Sequence, residues 1–168
     1  MRRKRFITRA GAVIIALAAV ALTSILMRVP YLTLSNDYEV LFKTRMSEGE
    51  EFSVSFIHSV NISPVTEIFQ IRDGGIVLYA VEFETFGAGM PSELELGQTL
   101  VRLDGGGMRI EGFDRVMDGP RYLIGHATEH TLHIGETEIP LKTLEAPGRP
   151  VLFAFERLNI WQRIYLTI

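Results

Sequence analysis

The chain has 168 residues, no cysteine and a formal net charge of −3 at neutral pH. Six of its 17 basic residues lie before position 29, which leaves 11 basic against 20 acidic residues and a formal charge near −9 for the remainder. Without thiols the chain has no disulfides, cysteine catalysis or thiolate metal sites, and its acidic remainder argues against nucleic acid as a partner. The length suits one domain with its own core.

The N-terminus carries a basic cluster followed by an apolar run. The cluster contains Arg2, Arg3, Lys4, Arg5 and Arg9. The uncharged run over 10–27 approaches the ~20 residues that cross a bilayer as a helix, and basic residues stay on the cytoplasmic side. We therefore expect a cytoplasmic tail over 1–9, a single-pass anchor in the cytoplasmic membrane over 10–27, and a remainder that faces the periplasm or the cell exterior.

A cleaved signal peptide is the alternative for the same segment. Ala19, Val20 and Ala21 fit the small-x-small pattern at which signal peptidase cuts. The apolar run continues past this point to Met27, where a signal peptide usually turns polar. This continuation favours the uncleaved anchor.

After the apolar run, short apolar stretches alternate with Gly, Asp, Asn and Pro turns. The clearest period-two alternation lies over 51–60, and Asp73-Gly74-Gly75 predicts a tight turn. Other strands are expected at 38–46, 66–72, 76–85, both sides of the turn at 104–107, 122–127, 131–134, 137–141 and 151–155, with a last apolar stretch over 160–168. Such a succession predicts an all-β fold, an antiparallel β-sandwich or barrel-like domain over 37–168. Residues 28–36 are expected to form a connector to the helix, with membership of the first strand as the alternative.

One segment departs from ordinary strand and turn at His58. A strand ends in His58-Ser59, a turn with Pro64 follows, and Glu67 lies on the next strand. In a hairpin, His58 and Glu67 could lie close across the strand pair, where a carboxylate orients an imidazole as an acid, a base or a ligand. A polar pair that closes a strand end is the simpler interpretation, and an acid–base pair of a hydrolase is a further one.

A second unusual segment is Phe86-Gly87-Ala88-Gly89-Met90-Pro91. Its glycines permit positive φ angles and close backbone approach, so it predicts either a ligand-facing loop or a sharp corner of the sheet. Its spacing does not match a dinucleotide or phosphate loop.

Three histidines, His126, His130 and His133, are close in sequence. Strand parity does not place all three on one face, and exposed hairpin histidines are a simpler interpretation than a zinc site. We assign no catalytic residue, no metal ligand and no cofactor.

Together, the segments resemble the DUF1850 family of small bacterial and archaeal proteins. The resemblance rests on His58-Ser59-Val60, on Pro64-Val65-Thr66-Glu67-Ile68-Phe69, and on Phe86 to Pro91, in that order. It implies a non-enzymatic accessory protein of a TRAP-type transporter of the TAXI class, with the transporter membrane subunit or the solute receptor as partner.

The alternative function is an extracytoplasmic module that binds a small ligand or a metal. Its candidate residues are those that carry the motifs. They are His58, Ser59, Pro64, Glu67, Gly87, Gly89, Met90 and Pro91.

Overall fold

The computed structural model of the chain describes residues 2–60, 62–84, 93–126 and 129–165, with side chains from Gly11 onward. Within these residues the chain forms two α-helices, eleven strands and one short 3-10 turn. In chain order they are α1 (Arg2–Leu26), β1 (Val29–Ser35), β2 (Val40–Arg45), β3 (Glu51–Ile57), β4 (Pro64–Arg72), β5 (Gly75–Phe83), β6 (Thr99–Arg102), β7 (Met108–Met117), β8 (Arg121–Leu123), β9 (Thr131–Ile134), β10 (Thr137–Pro140), the 3-10 turn (Leu141–Thr143), β11 (Pro150–Leu158) and α2 (Ile160–Tyr165).

The strands form two antiparallel sheets, which confirms the predicted all-β class. The smaller sheet has the order β2-β1-β11-β8, and the larger has the order β10-β9-β3-β4-β5-β7-β6. Phe153 of the smaller sheet stacks on Phe52 of the larger, with ring centroids 5.7 Å apart. The core therefore lies between the two sheets, where the inward residues of β3 and β4 meet those of β1 and β11.

Alternating side chains decide which face of each central strand is buried. In β3 the buried positions are Phe52 and Val54, and in β4 they are Val65, Phe69 and Ile71. The tight turn predicted between β4 and β5 is confirmed, since Asp73 and Gly74 both adopt positive φ angles of 53° and 73°. Two successive positive φ angles match the right-handed twist of a hairpin.

The structure adds detail to two segments near the chain ends. The segment 28–36, expected as a connector or as part of the first strand, contains strand β1, in which Leu32 and Leu34 are fully buried in the core. The last apolar stretch, expected over 160–168, contains the helix α2 over its described part. Its apolar residues do not alternate with polar ones, so period two gave no guide there.

The chain divides into two compact units. One contains Met1–Pro30 and Glu156–Ile168, and the other contains Tyr31–Phe155. In the first unit, large apolar side chains of α1 are exposed along its length from Val13 to Leu26. Within the part of the chain that the structure describes, no helix is both long enough and apolar enough to cross a membrane.

A bulge in β7 bends the larger sheet where β7 pairs with β5. The register shifts between Leu78 and Ala80 of β5, and Gly112 lies in the bulged part of β7 with a φ of 82°. A Cβ atom on Gly112 would lie 2.4 Å from the carbonyl oxygen of Gly97. Glycine is therefore required at position 112 both by the backbone angle and by the space.

We expect Gly112→Ala to destabilise the fold more than Gly106→Ala. Both glycines have positive φ angles, but a Cβ on Gly106 meets no atom within 4 Å. The left-handed backbone alone costs alanine about 1–2 kcal/mol, and the backbone shift at position 112 adds roughly 1–3 kcal/mol. Urea unfolding of the full chain in mild detergent measures the difference between the variants. Equal losses would show that Gly97 moves away at no cost.

Candidate functional site

The hairpin between β3 and β4 carries four of the predicted site residues. His58 follows β3 directly, and its backbone N–H donates to the carbonyl oxygen of Ser63 at 2.9 Å. Its carbonyl accepts from the N–H of Ile62 at 2.8 Å, so these two bonds close the loop. Ser59 is exposed in this loop, and Pro64 is exposed at the start of β4.

The register of this hairpin does not set His58 against Glu67. Glu67 lies opposite Val54, and the last pair of the ladder is Ile57 with Pro64. His58 and Val54 are four residues apart along the chain, which separates them by about 13 Å in an extended strand. The proposed cross-strand pair is therefore not formed, and the acid–base pair of a hydrolase loses its geometric basis.

Glu67 instead interacts with Tyr122 on the opposite sheet. Its side chain shares the inward face of β4 with Val65 and Phe69, and the Tyr122 hydroxyl donates a hydrogen bond to its carboxylate. Burial raises the pKa of Glu67, and the bond from Tyr122 partly offsets that rise. Burial and the neighbouring carboxylate raise the pKa of Tyr122 as well. The bond gives the carboxylate a donor inside an otherwise apolar core.

Aromatic rings enclose Tyr122 at this end of the core. The rings of Phe56 and His130 each lie beside Tyr122, with centroid distances of 6.3 and 5.4 Å, and Phe153 meets it edge-on at 5.5 Å. Burial lowers the pKa of His130. Its Nδ1 atom is buried and has no hydrogen-bond partner among the described residues. Ser63, at the neighbouring hairpin, also has a buried Oγ without such a partner.

We call Glu67, Tyr122 and His130 the core polar cluster. It combines a carboxyl group, a hydroxyl that donates to it, and an imidazole ring beside the tyrosine ring. The open nitrogen of this imidazole can bind a small polar group. Sequence reasoning missed Tyr122 and its role. The available signal was that Glu67 shares a face with Phe69 and Ile71, since a buried carboxylate requires a donor.

A pocket of about 130 Å³ lies on the opposite face of the larger sheet. Pro64 is the predicted site residue in its lining. The other lining residues are Thr66, Glu82, Phe83, Glu84, Leu103, Gly106 and Gly107. The segment that follows Glu84, residues 85–92, lies outside the described residues, and with it Gly87, Gly89, Met90 and Pro91.

The three histidines have separate environments where the structure describes them. His130 faces the core, whereas His133 lies on the outer face, where its Nε2 is 2.8 Å from the Ser55 hydroxyl and its Nδ1 is 3.5 Å from Glu138. Within the described ranges, no three His, Cys, Asp or Glu residues are grouped as metal ligands are.

On this outer face Ser55, His133 and Glu138 form a chain from hydroxyl to imidazole to carboxylate. The same chain of groups activates the nucleophile in many hydrolases. Ser55, however, lies in mid-strand and pairs in register with residues of both neighbouring strands, so the backbone amides beside it belong to the ladders. An oxyanion hole needs free amides aimed at the reacting oxygen. Glu138 is also 71% exposed in its side chain. We therefore assign these three residues to cross-strand stabilisation of the sheet.

The fold and the core polar cluster define a small two-sheet β domain that follows an apolar N-terminal helix. The sequence model of DUF1850, a domain of unknown function, matches residues 52–141. Since this match covers more than half of the chain, the protein belongs to the DUF1850 family, as the motifs predicted. No curated protein and no solved structure matches the chain.

The raised pKa of Glu67 predicts a specific pH dependence of stability. Above about pH 4.5, the ordinary value, the unfolded state loses this proton while the folded state keeps it. The free energy of unfolding should therefore fall as pH rises towards the pKa of Glu67 in the folded state. We expect Glu67→Gln to remove this fall, measured by urea unfolding at a series of pH values.

Glu145 provides the control of opposite sign. Its carboxylate accepts hydrogen bonds from the Asn36 side chain and the Ala146 backbone, which lower its pKa. Its contribution to stability is present above its ordinary pKa and is lost as pH falls towards its pKa in the folded state. Glu145→Gln should remove that acid-side loss. Identical pH profiles for wild type and Glu67→Gln would contradict the burial of a titrating carboxyl group at position 67.

Proposed function

We propose that this protein is a membrane-anchored accessory protein of a TRAP-type transporter of the TAXI class, with its β domain outside the cytoplasmic membrane. The chain belongs to the DUF1850 family, and the transporter context is what the resemblance described in the sequence analysis implies. The observation that carries the anchoring is the uncharged run over 10–27, which follows five basic residues and presents exposed apolar side chains along α1. Apolar side chains on a free helix in water are unfavourable, and lipid removes that cost.

The orientation follows from charge. The basic residues before position 10 stay in the cytoplasm under the positive-inside rule, so the β domain faces the periplasm or the cell exterior. Cleavage after Ala21 is the alternative fate of the same segment, and it would release the β domain from the membrane.

The hairpin between β3 and β4 is the surface that we propose for the transporter subunit or the solute receptor. Its loop exposes Val60 at 65% and Ile62 at 79%, and Ile57 beside them is also exposed. Neighbouring exposed apolar residues mark contact surfaces more often than isolated ones do. This loop also carries the His58-Ser59-Val60 motif.

We expect Leu17→Arg with Val20→Arg to abolish anchoring. Each arginine near the centre of a spanning helix costs about 2.5–3.5 kcal/mol on insertion scales. Leu17→Ala with Val20→Ala is the matched control that keeps the segment uncharged. Fractionation after an alkaline wash, with mass spectrometry of the chain, measures the outcome. A soluble mature chain that begins at Leu22 in wild-type cells would establish cleavage and refute the anchor.

Co-purification in mild detergent tests the transporter partner. Tagged wild-type protein should recover the transporter membrane subunit or the solute receptor, and Val60→Asp with Ile62→Asp should lose it. Val116→Asp with Leu123→Asp charges two equally exposed apolar residues elsewhere and should retain it. Wild-type protein that recovers no transporter component would refute the association, whereas equal recovery by both variants would refute only the assignment to the loop.

The second candidate function is a small-ligand or metal-binding module. The pocket beside Pro64 favours it. Glu84 in its lining favours a cation or a neutral ligand, whereas Glu82 is already paired with Arg109 at 3.2 Å. The buried Nδ1 atom of His130, which has no hydrogen-bond partner in the described structure, is a further group that a polar ligand can bind.

We expect a bound ligand to raise the melting temperature of the full chain. A ligand at 100 times its dissociation constant stabilises the folded state by about 2.7 kcal/mol. Zinc ions and the small organic cation choline are suitable probes. Glu84→Gln tests the pocket beside Pro64, and the double variant His58→Ala with Glu67→Gln tests the hairpin between β3 and β4. A ligand-induced shift in melting temperature that persists in both variants would show that neither region binds the ligand. Glu138→Gln, which changes an exposed carboxylate elsewhere, is the control.

A further inference from the structure

The short helix α2 presents an unusual concentration of exposed aromatic and aliphatic side chains. Trp161 is 61% exposed and Tyr165 is 80% exposed, and Ile160 and Ile164 are exposed on the same short helix. These four residues occupy most of a helix of six residues. We call them the α2 apolar group.

The start of α2 is fixed by reciprocal hydrogen bonds. The Asn159 side chain accepts from the backbone N–H of Gln162, and the Gln162 side chain accepts from the backbone N–H of Asn159, both at 2.9 Å. This arrangement is a capping box, which satisfies amides that the first turn leaves open. The α2 apolar group is therefore held on a defined helix.

A hydrogen bond connects α2 to the C-terminal end of α1 inside the same compact unit. The indole Nε1–H of Trp161 donates to the Ser24 hydroxyl at 3.3 Å. Ser24 lies two residues before the end of α1 at Leu26, which corresponds to about 3 Å along the helix axis, and four residues before Arg28, where the uncharged run ends. Trp161 therefore lies close to the level at which α1 passes from apolar to charged sequence.

We propose that α2 lies in the outer interfacial layer of the membrane that holds α1, with Trp161 and Tyr165 at the level of the lipid headgroups. This inference rests on the proposed anchoring of α1. Tryptophan and tyrosine collect at membrane interfaces because their rings are apolar and their N–H or O–H groups are polar. The bond to Ser24 sets the depth of α2, since it ties the indole to the outer end of the anchor. The two isoleucines then add apolar area that lipid covers.

Lipid is the occupant that the observations favour over a second protein. The bond to Ser24 places the α2 apolar group beside a helix that itself lies in lipid, so the same surface continues from α1 to α2. Both helices of this surface belong to the same chain, since α1 precedes β1 and α2 follows β11.

The intrinsic fluorescence of the full chain tests the proposal, because Trp161 is the one tryptophan in the sequence. The protein is reconstituted into phosphatidylcholine vesicles that contain no other protein. Some vesicles carry bromine atoms close to the headgroup and others carry them near the chain ends, since bromine quenches indole on contact. We expect blue-shifted emission, stronger quenching by the shallow bromines than by the deep ones, and weak quenching by aqueous acrylamide.

The matched control moves the indole to the β domain. Trp161→Phe with Tyr38→Trp places it at an exposed position in the turn between β1 and β2. This variant should emit as an indole in water, with strong acrylamide quenching and no bromine quenching. Equal bromine quenching of the wild type and the control variant would overturn the proposal, because the signal would not be specific to α2.

Vesicle flotation on the same samples separates the two failures. Protein that floats while Trp161 remains open to acrylamide would leave the anchor intact and overturn the position of α2, which would then serve a protein partner instead. Protein that does not float would refute the anchor and the inference together. Protein that floats with Trp161 quenched by the shallow bromines supports both.

Discussion

The inward face of the larger sheet requires a cover, and most of the structure follows from that requirement. Phe52, Val54, Phe69 and Ile71 lie on this face and are almost fully buried. In water such a face would cost about 1.5–3 kcal/mol for each large side chain left exposed. The smaller sheet supplies the cover, chiefly through Leu32, Leu34 and Phe153. The strands near the chain ends therefore belong to the core as much as the strands at its centre do.

The core polar cluster is an exception within this apolar interface. Glu67 occupies a position where its strand neighbours are Val65 and Phe69, and only Tyr122 provides it with a hydrogen bond in the described structure. Removing Tyr122 alone would leave this carboxyl group without its hydrogen-bond donor, which costs more than replacing both partners by apolar groups of the same shape. Glu145 shows the opposite case, since several donors surround it and its pKa falls rather than rises.

Strand positions could be predicted from the sequence where period two was clear, whereas partners across the core could not. Residues 131–134 form β9 as predicted, because their apolar and polar residues alternate between two recognisable turns. The hairpin between β3 and β4 was also expected. The register of this hairpin could not be predicted, because the sequence does not show how many residues the loop contains. For that reason His58 was expected opposite Glu67, where the structure has Val54. Tyr122 is 55 residues away from Glu67, so no local pattern relates them.

The segments near the chain ends were less predictable for a related reason. Val29–Ser35 contains buried leucines at alternate positions, but its place beside the apolar run left a connector and a first strand both open. The helix α2 is a single short segment held by a capping box and by a contact with α1, and neither is visible in hydrophobic periodicity. Local propensity was outweighed there by contacts that the fold supplies.

The family match and the physical domain have different limits, and the difference bears on how the protein folds. The matched segment, 52–141, contains nearly all of the larger sheet but only β8 of the smaller one. The strands that cover the matched segment are β1, β2 and β11, and all three lie outside it. β1 and β11 are neighbours in the sheet, and Thr33 donates to the carbonyl of Ala154 across 121 residues of sequence. Contacts between such distant residues close late and slowly, because the loop entropy is lost before they form. The core polar cluster is therefore completed only when β11 is in place, because Phe153 of that strand meets the ring of Tyr122 edge-on.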